Sequence, residues 1–365
     1  MPPPVRANLA ETLPPDNLDT EHLETLTLAL SNLLRSDVAE FTLAQIVDGF
    51  PTLSSFGQSH FVELSSDHPL SAHESLCPGV VERTREFRSA FDTRSLRFSP
   101  EVLQGFQNEM PGTNRFQFRL IEMLAVACHQ IAAFLFQADE SNHHRTVYEA
   151  WASRRNELEA SGDEHYVLES MKPPTVFYHD SYCDHEQYPR GLPDVVGYWA
   201  EAKIFGGVVL LERGESSTGC DNIWLDPNHR PGPTTMYSPT PEQLSTLVHF
   251  LLSEPSSTVE CPLPIRASNL NRPRFYRYHA TKYFHIFRDK YDSRLPAWFL
   301  DTSGCARNPR DFPELEDEHK LLDLTMSAYQ SGTQPDEHRI VAIKERLKNI
   351  TPSSPLWPID DPKYR

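Results

Sequence analysis

The densest run of groups able to move protons is Tyr178-His179-Asp180-Ser181-Tyr182-Cys183-Asp184-His185-Glu186. Two imidazoles, three acids, a thiol and two phenols fall within one short segment. Such a mixture suits general acid–base work, because its members give and take protons over a wide range of pH. A metal reading has less behind it. His179, Asp180, Asp184 and His185 follow no standard ligand spacing, and no metal is expected there. A polar loop whose side chains bond to their own backbone would have the same composition.

A second group follows in Tyr198-Trp199-Ala200-Glu201 and in the run from Ile204 to Leu211 that ends in Glu212-Arg213-Gly214-Glu215-Ser216. A buried strand delivers charged groups at its tip, here beside a glycine that permits a tight turn. Strand alternation places Glu212 on one face and Leu211 and Arg213 on the other. Glu201, Glu212, Arg213 and Glu215 are then expected to converge. A hairpin decorated with surface ion pairs is the alternative. Gly206-Gly207 is not followed by the lysine of a phosphate loop. No GxSxG elbow exists, so Ser216 and Ser217 lack the setting of a hydrolase nucleophile. Cys220 has no neighbour in sequence that would lower a thiol pKa.

The third feature interleaves cations with rings. Arg272, Arg274, Arg277, Lys282 and Arg288 alternate with Phe275, Tyr276, Tyr278, Tyr283 and Phe284. Cations neutralise phosphates and rings stack on bases, so the pattern suits a nucleic acid. A core strand with a basic outer face is the competing interpretation.

Elements of both periods must position these groups. Leu23, Leu26, Leu30, Leu33 and Leu34 give one apolar helical face after a cap at Thr20. Ser99-Pro100-Glu101 opens another helix. Thr113 caps the strongest one, Arg115 to Gln137, apolar on most sides and interrupted by Glu122, His129 and Gln130. After Pro174 the pattern turns to strands at Thr175–Tyr178, Asp194–Trp199, Ile204–Arg213, Asn222–Leu225 and Thr234–Tyr237. Short links favour an antiparallel meander. Ser238-Pro239-Thr240-Pro241-Glu242 then opens a helix, and a short amphipathic one spans Asp336 to Lys348. The expected class is α+β: an N-terminal helical part packed on a small antiparallel sheet, with C-terminal helices and long Pro-rich loops. Residues 1–18 are expected to be a Pro-rich disordered tail. Residues 19–350 form one domain, with 19–172 mainly helical and 175–294 carrying the sheet and the site. Residues 351–365 are a second Pro-rich tail.

The chain has 365 residues, 31 prolines and a formal net charge of −17. Acidity on this scale argues against a general nucleic-acid binder. The charge is uneven, however: Arg266 to Arg294 holds eight cations and two acids. No secretory signal or membrane-spanning run is evident, so a cytoplasmic protein with no membrane contact is expected. In that compartment the six cysteines are expected to be free thiols.

The segments Tyr178–Tyr182, Gln187-Tyr188-Pro189-Arg190-Gly191, Asp194–Glu201, Gly206–Leu210 and Arg213–Ser216 resemble a large family of filamentous-fungal proteins. Leu251–Pro255 and Cys261–Pro264 extend the resemblance, which covers roughly 174–294. Its characterised branch is identified as the fungal arginine-containing cyclodipeptide synthases. The resemblance implies a transferase of secondary metabolism that takes arginine and a second amino acid from their tRNAs and closes a cyclic dipeptide. Arginyl-tRNA and a second aminoacyl-tRNA would be its partners, with no cofactor. That chemistry needs carboxylates for the guanidinium, from Asp180, Glu201, Glu212 and Glu215. Asp184, Glu186 and Tyr198 would line the same pocket. It needs a base, His179 or a perturbed carboxylate, and a proton donor or oxyanion partner, Tyr178 or Arg213. Ser216 is the nearest residue for an acyl-enzyme. Arg272, Arg274, Arg277, Lys282 and Arg288 would track the tRNA. The same carboxylates and His179 also fit a metal-independent lyase, isomerase or cyclase acting on a small metabolite. A non-enzymatic adaptor using its Pro-rich ends is the third reading.

Overall fold

Capping side chains and apolar stripes build the N-terminal half. Asp19, one residue before the expected cap, accepts the His22 backbone N–H at 3.0 Å and starts α1 (Thr20–Arg35). Leu26, Leu30 and Leu33 on its inner face are fully buried. Ser36 caps α2 (Asp37–Asp48), which stops at Gly49 in the left-handed conformation. Next come α3 (Leu53–Gly57), α4 (Val80–Ala90) and α5 (Pro100–Gln107), the last capped by Ser99 as expected. The long helix α6 (Asn114–Ala138) is buried on nearly all sides, and α7 (His143–Ala160) follows it. The computed structural model describes residues 12–59, 64, 66–138, 143–160, 173–216, 218–228, 235–254, 259–268, 270–288, 312–332, 334, 336–348, 350 and 354.

Two expected strands are absent. Thr175–Tyr178 runs through the core without strand pairing: Val176 and Phe177 are buried, yet local side chains take over the backbone bonds. Thr175 Oγ1 accepts Phe177 N–H, and Asn228 donates to the Tyr178 carbonyl. Asp194–Trp199 is helical, within α8 (Leu192–Phe205). The helix-start signals are Pro193 in the first turn and Asp194 near the positive end. Burial on every side erases the amphipathic period, so Val195-Val196 mimics a strand.

The sheet is a meander. Strands β1 (Val208–Glu212), β2 (Asn222–Asp226), β3 (Met236–Tyr237) and β4 (Arg274–Phe275) pair in turn, all antiparallel. Helix α9 (Pro241–Leu251) lies between β3 and β4 in the chain, and α10 (Arg277–Phe284) leads to β5 (Ile286–Phe287). β5 pairs with β1, giving the order β4-β3-β2-β1-β5. Both faces are covered. Val209 and Leu211 join the large core with α1, α2, α6 and α8. Val208 and Leu210 join a smaller, ring-rich core with Tyr182, Tyr198 and Ala280. Helices α11 (Glu314–Ser331) and α12 (Glu337–Leu347) form a hairpin pinned by Arg346 on Asp317.

The class is α+β, as the sequence indicates. The proposed N-terminal tail needs correction: Leu13 pairs with Phe98 through its backbone, and Pro15 and Leu18 are buried. Residues 1–11 and most of 351–365 lie outside the described residues. Cys77, Cys128, Cys183, Cys220 and Cys261 are free thiols; Cys305 lies outside the described residues. Among the described residues one helix, α6, is long and apolar enough to cross a membrane, and 78% of its apolar window is buried inside the protein.

Gly206-Gly207 joins α8 to the sheet. Gly206, at φ 95°, ends the helix, and a Cβ there would sit 2.0 Å from the Ile265 carbonyl oxygen. Tyr237 donates to both that oxygen, at 3.0 Å, and the Gly206 carbonyl, at 3.3 Å. Gly206→Ala is expected to cost about 3 kcal/mol through backbone strain and overpacking. A urea midpoint shifted down at unchanged m-value would show it.

Candidate functional site

Helices α6 and α8 each place charged side chains two turns apart on the faces they share. On α6 these are Glu122 and His129, with Arg119 one turn before Glu122. On α8 they are Asp194 and Glu201, about 10.5 Å apart along the axis. The ring of His129 lies between the two α8 carboxylates. Nδ1 is 2.8 Å from Glu201 Oε1 and Nε2 is 3.0 Å from Asp194 Oδ1. Gly197, between those two positions on the same face, makes the room: a Cβ there would lie 2.6 Å from the imidazole. Tyr198 meets the ring edge-on.

The remaining oxygens are also satisfied. Arg288, just beyond β5, donates to Glu201 Oε2 at 2.6 Å. The Arg190 backbone N–H donates to Asp194 Oδ2 at 2.8 Å. Arg213, just beyond β1, donates to the Arg288 carbonyl and to Glu122 Oε1, the latter at 3.1 Å. Arg119 donates to Glu122 Oε2 at 2.7 Å. A continuous path of buried polar contacts therefore runs Arg119, Glu122, Arg213, Arg288, Glu201, His129, Asp194.

Opposing effects set the charges. Burial pulls the His129 pKa down, but bonds to Asp194 and Glu201 and their charge raise it overall. Burial pushes Glu201 up, while Arg288 and His129 bring it below the ordinary carboxylate range. Asp194 behaves alike, held down by His129 and the Arg190 N–H. Two carboxylates facing both ring nitrogens require an imidazolium that donates twice.

Beside this path lies a second unit. Arg277 donates to Asp226 at 2.7 Å and lies 3.9 Å over the Tyr182 ring, which stacks on Tyr198. His179, the expected base, is only 1% exposed. Its Nε2–H donates to the Asp226 carbonyl at 3.0 Å and its Nδ1 accepts the Ser181 N–H at 3.1 Å. Burial lowers its pKa. Both nitrogens hold backbone, so His179 fastens the loop and is a poor proton acceptor.

The other expected site residues separate into three settings. Glu201, Arg213 and Tyr198 are buried inside the network or against it. Glu212 accepts from Trp224 Nε1 at 3.1 Å on the opposite sheet face from Arg213. Glu215 and Ser216 are exposed in the β1–β2 turn, where Ser216 bonds to Thr218. The four charged groups of that hairpin do not converge as expected. Tyr178, Asp180 and Asp184 are half-buried on the loop before α8, and Glu186 is exposed. In the basic segment, Arg274, Arg277 and Arg288 are buried and engaged, Arg272 pairs with Glu314 at 3.1 Å, and Lys282 is exposed. Three of the five cations assigned to nucleic acid thus serve the interior.

The sequence reading passed over His129, Glu122 and Asp194 as site residues. Their signal was present: polar groups interrupting the most apolar helix must be satisfied once buried. Two surface grooves open beside this network, of about 730 and 550 Å³, and share Arg190 and Gln137 in their walls. Leu192 and Pro193 line the first, next to Asp194. Comparison with protein families, with characterised proteins and with solved structures returns no match for this chain.

Two outcomes follow. Gly197→Ala is expected to displace His129 and cost about 2 kcal/mol, read as a lowered denaturant midpoint. For pH, the raised His129 stabilises fully below its ordinary value of 6.5 and loses this as pH rises through the raised value. Asp194 and Glu201 act oppositely: their contribution is present above the ordinary 3.8 and 4.5 and is lost as pH falls through the depressed values. The stability gap between wild type and His129→Gln should therefore hold from about pH 5 to 6.5 and shrink at higher pH. Denaturant titrations across that range check this, and a gap that widens toward high pH would contradict the assignment.

Proposed function

We propose that the chain is an aminoacyl-tRNA-dependent transferase that closes an arginine-containing cyclic dipeptide. One observation carries the reading: the segments that resemble the fungal synthases supply Asp194, Glu201 and Arg213 to a single buried ionic path. Burying so many charges costs several kcal/mol per ion before pairing, a burden beyond what filling a core requires. The path acts as a positioning frame. It holds α8 and the loop before it, so that Tyr178, Asp180 and Asp184 stand half-buried at the rim.

The reaction needs no cofactor and no energy beyond the two ester bonds. The amine of one aminoacyl group attacks the ester carbonyl of the other, a peptide bond forms, and a tRNA hydroxyl leaves with a proton. The second amine then attacks the remaining ester, releases the second tRNA and closes the ring. In this reading Asp180 and Asp184 pair with an arginine guanidinium, and Asp180 accepts the amine proton. Tyr178 supplies a donor to the ester oxygen: burial beside Asp180 raises its pKa, so it stays protonated.

A second reading has its own support. Burial of Arg274, Arg277 and Arg288 removes much of the expected tRNA track and favours a metal-independent lyase, isomerase or cyclase on a small metabolite. Mass spectrometry of cells expressing the chain separates the two. The synthase gives a new ion equal to arginine plus a second amino acid minus two waters, and tRNA copurifies with the protein. Asp180→Asn should lower that product about 100-fold with the fold intact. Folded protein that yields neither ion nor tRNA would sink the synthase reading and leave the small-metabolite enzyme.

A further inference from the structure

A separate group of side chains, outside the ionic path, has the chemistry of a metal site. Asp48 is the last residue of α2, held there as Gly49 turns the chain away. His73 ends a short 3-10 turn at Pro69–Ala72, Cys77 precedes α4, and His144 lies in the first turn of α7. One ligand atom each from Asp48, His73 and His144 fall within 4.8 Å of one another. Cys77 Sγ lies 4.0 Å from His144 Nε2, and the Cys77 N–H donates to Asp48 Oδ2 at 3.1 Å.

The unmet needs of these groups point to a cation. His73 is 9% exposed, and its Nε2 has no hydrogen-bond partner although it sits 3.1 Å from Asp48 Oδ2. The Asp48 carboxylate is almost fully buried, and no lysine or arginine pairs with it among the described residues. A buried carboxylate without a cation is costly. His144 Nδ1 is 2.9 Å from the Asp48 carbonyl and donates to it, which turns Nε2 toward the thiol. A ring nitrogen bound to backbone oxygen is how metal-ligating histidines are oriented. Phe50 stacks on the His144 ring at 4.7 Å and fixes its plane.

We propose that Asp48, His73, Cys77 and His144 bind one zinc ion that staples the segment between α3 and α4 onto α2 and α7. Two imidazoles, a thiolate and a carboxylate form a closed four-coordinate set suited to zinc, whereas magnesium and calcium take oxygen ligands. On binding, the Cys77 S–H gives its proton to solvent and a sulfur–zinc bond forms. Thiolate and carboxylate together then balance the ion's two charges. The site is independent of the proposed transferase chemistry.

The test uses the full chain, purified and dialysed against metal-free buffer, with metal content read by mass spectrometry. About one zinc per chain is expected for wild type, falling at least about tenfold in His73→Asn. Cobalt substitution should give tetrahedral absorption bands together with a sulfur-to-metal charge-transfer band, and Cys77→Ser should lose the latter. Should the variants fail to fold, wild type alone decides. A chelator is expected to lower its melting temperature by about 5 °C or more, and added zinc to restore it. Folded wild type that holds neither zinc nor cobalt, or melts identically with and without chelator, overturns the proposal.

Discussion

An imidazolium clamped between two carboxylates, over a glycine, sets how α6 meets α8. Apolar contact alone would not fix this. Helix α6 is buried on nearly every side, so rotating it about its axis would exchange one apolar face for another at little cost. The bonds from His129 to Asp194 and Glu201 allow one rotation and one axial register. Removing one partner of such a buried set costs about 3–5 kcal/mol, because the survivors keep their charge without a mate. Arg288 and Arg213 extend the constraint to the tips of β5 and β1. The helical half and the sheet are thereby keyed to each other by charge, while apolar burial supplies most of the stability.

How much of this was legible in the sequence depends on whether an element has a wet side. Helices α1, α5 and α9 announce themselves through caps and one-sided apolar stripes. The β1–β2 pair is equally plain from its β-branched run and turn. Helix α8 is misread because it lies between two cores, with Val196 and Trp199 in one and Val195 and Tyr198 in the other. With no exposed face the 3.6-residue period disappears, and two adjacent valines read as strand. The better guide was its boundary chemistry, Pro193-Asp194 at one end and Gly206 at the other. The site follows the same logic. Position 201 was recognised, but its partner His129 lies 72 residues away on another helix, and no local spacing joins them.

The basic segment shows why composition misleads about surfaces. An acidic chain with eight cations between Arg266 and Arg294 invites a surface track. Three of those arginines instead meet inner partners: Arg274 the carbonyl of Asn271, Arg277 the carboxylate of Asp226, Arg288 that of Glu201. Guanidinium suits this role, since its fixed fork satisfies several acceptors at once and its charge is weakly hydrated. Their packing partners are rings from outside the segment, Tyr182 under Arg277 and Tyr198 near Arg288. Arg277 and Arg288 are cancelled by the carboxylates they meet, so the outer field stays that of a chain with net charge −17. Any polyanionic substrate would have to be held against that field, by contacts at close range rather than by long-range steering.

Neither half of the chain can make the ionic path alone. Residues 174–294 contribute Asp194, Glu201, Arg213 and Arg288, while α6 contributes Arg119, Glu122 and His129. Without α6, Glu201 would keep Arg288 but lose its imidazolium, and Arg213 would lose its only carboxylate among the described residues. A domain drawn around the recognisable motifs would therefore leave unpaired charges at its centre. The helical half completes the site's electrostatics and is not an appendage to it.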